Sequence, residues 1–156
     1  STSDVRLFLE KAILATPAGG LAFVDARDAA AGMLLAFEKG RAGERYLLNA
    51  ANMTVAHFFG RLARISGVAA PLMKMPKNRT LARGMFGLYD KGLRAIGGVP
   101  PLDAESAELG QYFWYCSAEK AERELGFRAR DHGDTLRDTV HDLVERKVVA
   151  PAEMRH

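Results

Sequence analysis

The chain has 156 residues, a length that suits one domain able to bury a core of its own. Hydrophobic residues make up 48% and charged residues 26%, ordinary for a soluble globular protein, and a formal charge of +3 is too mild to signal nucleic-acid binding. One cysteine, Cys116, excludes an intrachain disulfide and fits a reducing compartment, while His57, His132, His141 and His156 stand too far apart for a zinc site.

The N-terminus does not read as a signal peptide, because Asp4, Arg6, Glu10 and Lys11 interrupt its apolar residues. A start at Ser1 without methionine suggests a cut or processed chain. No run of about eighteen apolar residues occurs, so no membrane span is expected.

Residues 4–14 carry Val5, Leu7, Phe8, Ile13 and Leu14 at helical spacing, with Pro17 closing the segment. Gly19 and Gly20 permit backbone angles that a Cβ resists, and Leu21, Phe23 and Val24 form a short strand-like run. Asp25 or Asp28 then caps a helix whose Ala29, Met33 and Phe37 recur four apart, with Ala30 and Leu34 beside them, ending at Gly40. Gly43 to Asn49 reads as a second strand.

Asn52-Met53-Thr54 opens the next helix, with Thr54 as its cap, Val55, Phe58, Phe59, Leu62 and Ile65 as its core stripe, and Gly67 as its end. Pro71 to Pro76 suits an edge strand, since proline cannot donate to a ladder. Asn78 to Ile96 is helical in pattern, with Leu81, Met85, Leu88 and Ile96 on one side. Gly84, Gly87 and Gly92 weaken it and suggest bending, close packing or mobility. Lys74, Lys77, Arg79, Arg83, Lys91 and Arg94 face one acid, Asp90; this is either a basic face for an anionic ligand or a solvated helix face.

Gly97 to Pro101 is the clearest break, and Asp103 to Leu109 a short acidic helix. Gln111 to Cys116 is the most aromatic run and has high strand propensity. Ser117 and Gly126 bracket one more helix, and a last one begins near Asp134, buries Leu136, Val140, Leu143 and Val144, and ends at Pro151.

Two of these stretches resemble a known family. Phe23-Val24-Asp25-x-Arg27-Asp28-Ala29-Ala30, a helix, and Gly43-Glu44-Arg45-Tyr46-Leu47-Leu48-Asn49 are similar to the extended short-chain dehydrogenases/reductases, nearest the dihydroflavonol-reductase-like and epimerase-like branch. Ser117-Ala118-Glu119-Lys120-Ala121-Glu122-Arg123-Glu124-Leu125-Gly126-Phe127 matches that family's Lys-Ala helix. The resemblance spans nearly the whole chain.

It implies an α/β fold, here a helix-rich substrate lobe with a few short strands (α+β in this fragment), the Rossmann half largely missing. Residues 1–156 would be the C-terminal substrate-binding half of an NAD(P)-dependent reductase or epimerase, without activity on its own. The family's glycine-rich cofactor turn is absent, and so is its Tyr-x-x-x-Lys catalytic pair: four residues after Tyr46, Tyr89, Tyr112 and Tyr115 stand Ala50, Leu93, Cys116 and Glu119. No catalytic, cofactor-binding or metal residue is therefore expected in this chain.

Substrate-pocket contacts are expected at Leu21, Tyr112 and Trp114. No arginine stands at Leu109 to Phe113 or Gly19 to Ala22, where nucleotide-sugar members carry a diphosphate grip, and this favours an uncharged or weakly charged carbonyl substrate over a nucleotide sugar. The implied partners are a small-molecule carbonyl, the N-terminal Rossmann half and further copies of the chain, with no nucleic acid and no membrane; the implied location is cytoplasmic. The other reading is a non-enzymatic, helix-rich association module, which explains the missing catalytic residues but not the two family motifs in order.

Overall fold

The structure, a computed structural model, describes residues 2–76, 78–95, 97 and 108–149. It is helix-rich α/β, with six helices and five short strands among the described residues. In chain order they are α1 (Thr2–Leu9), β1 (Ala15–Thr16), β2 (Gly20–Phe23), α2 (Ala26–Lys39), β3 (Ala51–Thr54), α3 (Val55–Ser66), β4 (Met73–Lys74), α4 (Arg79–Ala95), β5 (Phe113–Trp114), α5 (Glu119–Leu125) and α6 (His132–Glu145).

Strand β2 is the middle of a three-stranded sheet, antiparallel to β3 and parallel to β5. Its register sets Leu21 opposite Met53 on one side and Trp114 on the other. Strands β1 and β4 pair separately, in parallel; of the edge strand expected at 71–76, Met73 and Lys74 form one.

Apolar residues gather in two clusters. The larger joins α1, α3 and α6 beneath the sheet: Val5 and Phe8 meet Phe58 and Phe59, with Leu62 and Leu136 fully enclosed or nearly so. Phe8 stacks on Phe59 at 5.3 Å between ring centroids, and Phe23 meets Phe58 edge-on at 6.0 Å. The smaller cluster seats α5 against the inner side of α2, where Phe127, Leu125 and Ala121 pack with Leu35 and Leu48. Gly32 is required there, because a Cβ at that position would lie 2.5 Å from Leu48 Cδ1.

Several boundaries differ from those the sequence suggests. Helix α1 stops at Leu9, well before Pro17, because Lys11 turns into the left-handed region at φ 57° and Ala12 N–H donates back to Leu7. Residues Gly43 to Asn49 form no strand. They run between α2 and α5, where Tyr46 and Leu48 pack on helices, and an alternating pattern makes a ladder only beside another strand. The partner of β2 is instead Ala51–Thr54, so Asn52 and Met53 belong to a strand and only Thr54 caps α3, accepting from His57 N–H at 3.2 Å. Ser117 accepts from Glu119 N–H at 3.2 Å, one residue ahead of the cap position at Ala118. Gly67 and Gly126 end their helices at φ 75° and 74°, as expected of C-cap glycines. Helix α6 is capped by Asp131, which accepts from Gly133 and Asp134 N–H; these two bonds hold its carboxyl below the usual range. The expectations for Lys77, Ile96, the Gly98–Pro101 break, residues 103–107 and Pro151 lie outside the described residues.

The expected stripe of α2 faces outward. Met33, Leu34 and Phe37 are exposed, Phe37 by 89%, while the helix turns Ala29, Gly32, Leu35 and Ala36 inward.

The cap of α2 is Asp25. Its Oδ1 accepts from Arg27 N–H at 2.8 Å, and the Arg27 guanidinium closes on the same carboxylate at 2.9 and 2.7 Å. The Arg27 hydrogen bonds hold the Asp25 carboxyl far below the ordinary carboxylate range, against the opposing effect of burial. Asp28 caps nothing: it receives Arg130 N–H at 2.8 Å and its Nε at 3.0 Å.

A depressed folded-state pKa means that the charge stabilises the fold above the unfolded-state pKa, about 3.9, and that this contribution is lost as pH falls. Asp25→Ala is expected to cost about 1–2 kcal/mol at pH 7, and Asp25→Asn less, since the amide keeps an acceptor for the Arg27 N–H. Urea melts from pH 7 to pH 3 check this: the gap between wild type and Asp25→Asn must narrow below about pH 4.

Candidate functional site

The aromatic run at 112–115 alternates across β5 as a strand must. Tyr112 and Trp114 lie to one side, their ring centroids 6.0 Å apart; Phe113 and Tyr115 lie to the other, over Gly20, at 5.4 Å. Trp114 Nε1–H donates to Leu109 carbonyl at 2.9 Å, which fixes the indole against the turn before the strand.

The two glycines let this strand come close. Neither has a positive φ, so backbone freedom is not their reason. A Cβ on Gly19 would collide with the carbonyl oxygens of Tyr112 and Gly110, and one on Gly20 would meet the Tyr115 ring at 2.6 Å. Gly19 N–H donates to Gly110 at 3.1 Å and Gly20 N–H to Tyr112 at 3.0 Å, closing the contact with hydrogen bonds.

Leu21, Tyr112 and Trp114 thereby come together on the wall of one cavity of about 310 Å³. Ile13, Pro17, Phe58 and Phe59 complete its apolar lining, and Asp4 of α1 reaches it from the side. Phe58 and Phe59 are almost wholly buried, so they serve the core and the cavity floor at once. Helical periodicity marks them as core, and nothing in the sequence distinguishes a floor from a core. Asp4 is also missed, since an acid in the first turn of a helix is common.

A second cavity, of about 590 Å³, adjoins the first across Asp4, Leu21 and Phe58. Asp25, Asp138 and Asp142 line it, with Thr135, Thr139 and one cation, Arg27. That cation is committed, bridging Asp25 at 2.7 Å and Asp138 at 2.6 Å. Among the described residues neither cavity offers an uncommitted lysine or arginine on its wall, an arrangement that suits a neutral ligand better than an anion.

Among the described residues, the β2–α2 strand–helix junction does not fit a nicotinamide dinucleotide. Its pyrophosphate needs free N–H groups at a helix N-terminus following a strand, and β2–α2 is such a junction. Here the Asp25 carboxylate already takes the Arg27 N–H, and Asp28 adds a second negative charge in the first turn. Among the described residues no group of three His, Cys, Asp or Glu is placed to hold a metal ion, and no helix is long and apolar enough to cross a membrane.

No family model matches the chain. It is 30% identical, over 145 residues and 90% of its length, to the "Putative dihydroflavonol 4-reductase" of Synechocystis sp., of which it spans 42%. Its fold matches the crystal structure of PA4631, a nucleoside-diphosphate-sugar epimerase from Pseudomonas aeruginosa, with TM-score 0.70 and 28% identity over 94% of this chain and 42% of that one. It matches the fold of gox2253 with TM-score 0.73 and 23% identity, over 96% of this chain and 44% of that one.

Gly19→Ala is expected to cost about 2 kcal/mol by forcing β5 off β2, and to shift the emission of Trp114, the single tryptophan of the chain. Gly60→Ala on α3, where a Cβ meets nothing within 4 Å, is the matched control and leaves both unchanged or slightly improved. Equal effects from the two variants would mean that β2 and β5 do not approach as described. In sequence and in fold, the chain corresponds to a C-terminal part of dihydroflavonol-reductase-like and epimerase-like proteins, and it spans less than half of their length.

Proposed function

We propose that residues 1–156 form the substrate-binding half of an NAD(P)-dependent reductase acting on a neutral small-molecule carbonyl. The observation that carries this reading is the aromatic and aliphatic cavity at Leu21, Tyr112 and Trp114, whose lining contains no cation among the described residues. A sugar-nucleotide diphosphate would lose its hydration there without gaining a guanidinium partner. Hydride transfer, the catalytic tyrosine and lysine, and the dinucleotide site belong on this reading to a cofactor-bearing half outside this chain, and the half described supplies pocket walls.

Calorimetry with three titrants tests the reading. An aromatic ketone is expected to bind and to move Trp114 emission, while a nucleoside-diphosphate sugar and NADH bind no better than millimolar, about −4 kcal/mol. Micromolar affinity for the sugar nucleotide would turn the assignment to an epimerase. Micromolar affinity for NADH would overturn the division of labour itself.

The outer face of α2 supports the existence of a second half. Ala26, Ala30, Met33, Leu34 and Phe37 form one stripe unbroken by charge, all of it exposed. The family resemblance places Phe23, Val24 and the stretch Tyr46 to Leu48 at such a contact; of these Leu47 is exposed, while Phe23, Val24, Tyr46 and Leu48 are half-buried inside this chain. With the complementary half absent, the purified chain is expected to sediment as a dimer or larger at low micromolar concentration, and Phe37→Glu to shift it toward monomer. A compact wild-type monomer would favour the association-module reading in place of the enzyme half.

A further inference from the structure

We propose that α4 docks the protein on an anionic lipid surface, lying in the plane of the interface with Leu81, Met85 and Leu88 directed into it. The proposal is independent of the reductase reading and rests on how the helix divides its faces. Ala82 is buried, and Phe86, Tyr89 and Leu93 are half-buried; these positions, spaced four, three and four apart, form the covered stripe of α4. Leu81, Met85 and Leu88 follow the same spacing one position away, yet they are 56%, 40% and 76% exposed. The helix therefore carries two adjacent apolar stripes, and the fold covers only one.

The charges say what covers the other. Arg83, Lys91 and Arg94 are all exposed, and the acid of the helix itself, Asp90, is taken up by Arg94 at 2.9 Å. Arg83 lies 3.9 Å from Glu108 in an exposed pair, too loose and too solvated to neutralise it. Lys74 adds another cation shortly before the helix. An apolar stripe with lysine and arginine on the polar face is the arrangement that seats a helix among anionic headgroups.

A protein partner would be expected to find exposed aromatic anchors on the stripe, and it offers only leucine and methionine. The helix has 17 residues, about 25 Å at 1.5 Å per residue, and it is not apolar enough to cross a bilayer, so it lies on the surface. The expectation of no membrane partner came from the lack of a spanning segment, which does not bear on a helix that lies flat. Gly84, Gly87 and Gly92 are not sites of close packing, since a Cβ at each meets nothing within 4 Å.

Vesicle co-sedimentation of the whole chain tests this. Vesicles of phosphatidylcholine with about 30% phosphatidylglycerol are expected to retain the protein, those of phosphatidylcholine alone at least tenfold less, and raising the salt from about 0.1 to 0.5 M to weaken retention by a similar factor. Leu88→Asp and Lys91→Glu should each reduce retention severalfold, with far-UV circular dichroism unchanged because both side chains are exposed. Phe37→Glu, on α2, should leave retention intact. Retention that ignores the anionic lipid, or that survives Leu88→Asp, overturns the proposal. So does sedimentation showing that Leu88→Asp separates copies of the chain in solution, because the stripe would then be covered by another copy.

Discussion

The carboxylate of Asp25 joins the two halves of this fold. It sits where β2 ends and α2 begins, buried to 6% exposure, and it meets three demands together. It accepts the Arg27 N–H in the first turn of α2, it fixes the Arg27 guanidinium that reaches Asp138 on α6, and it lies 3.7 Å from Arg130. Asp28, one turn further on, grips Arg130 through backbone and side chain. The larger apolar cluster belongs to α1, α3 and α6 and the smaller to α2 and α5. These charged contacts hold the start of α6 beside the start of α2, and so hold the clusters in one arrangement. A buried carboxylate is tolerated because hydrogen bonds from Arg27 and the backbone replace its lost water.

That arrangement shapes the cavities. Leu21 points down from β2 and Phe58 up from α3, so the ridge between the two cavities stands where sheet and helices meet. Any loosening at the β2–α2 junction moves Leu21 and the edge on which β5 rests. The electrostatics follow from the same construction. The acids that build the junction leave the larger cavity negative, and Arg27, the arginine among its described lining residues, is spent on them. The preference for a neutral ligand in the proposed function therefore draws on the same acids that hold the fold together.

Much of this was legible in the sequence wherever a local cause decided the outcome. Thr54, Gly40, Gly67 and Gly126 mark helix ends because capping acts on the residue concerned. Phe58, Phe59 and Leu62 declare themselves as core by spacing alone. Leu21, Tyr112 and Trp114 share a cavity, though their meeting could not be derived from spacing. It was expected from a family resemblance, and substrate contact at these three positions belongs to the proposal. What failed was whatever depended on a distant partner. Gly43 to Asn49 alternates like a strand but has only helices beside it. Asp25 and Asp28 are equivalent cap candidates until Arg130, some hundred positions later, claims one of them (|i−j| = 102). Gly19 and Gly20 suggested unusual backbone angles, whereas the cause is β5 passing close by.

Periodicity reports which side of a helix is apolar and leaves open which body covers that side. On both α2 and α4 the most regular stripe in the sequence is the exposed one, since the fold satisfies itself with a neighbouring face. The two exposed stripes differ in their surroundings. That of α2 is uncharged and includes an aromatic ring, Phe37, which suits the dry, shape-matched contact of one protein body with another. That of α4 has aliphatic side chains only, on a helix whose exposed charges are cationic, and suits a fluid anionic surface with no fixed shape to match. The same apolar spacing therefore implies different partners, and the charged residues alongside it are what separate them.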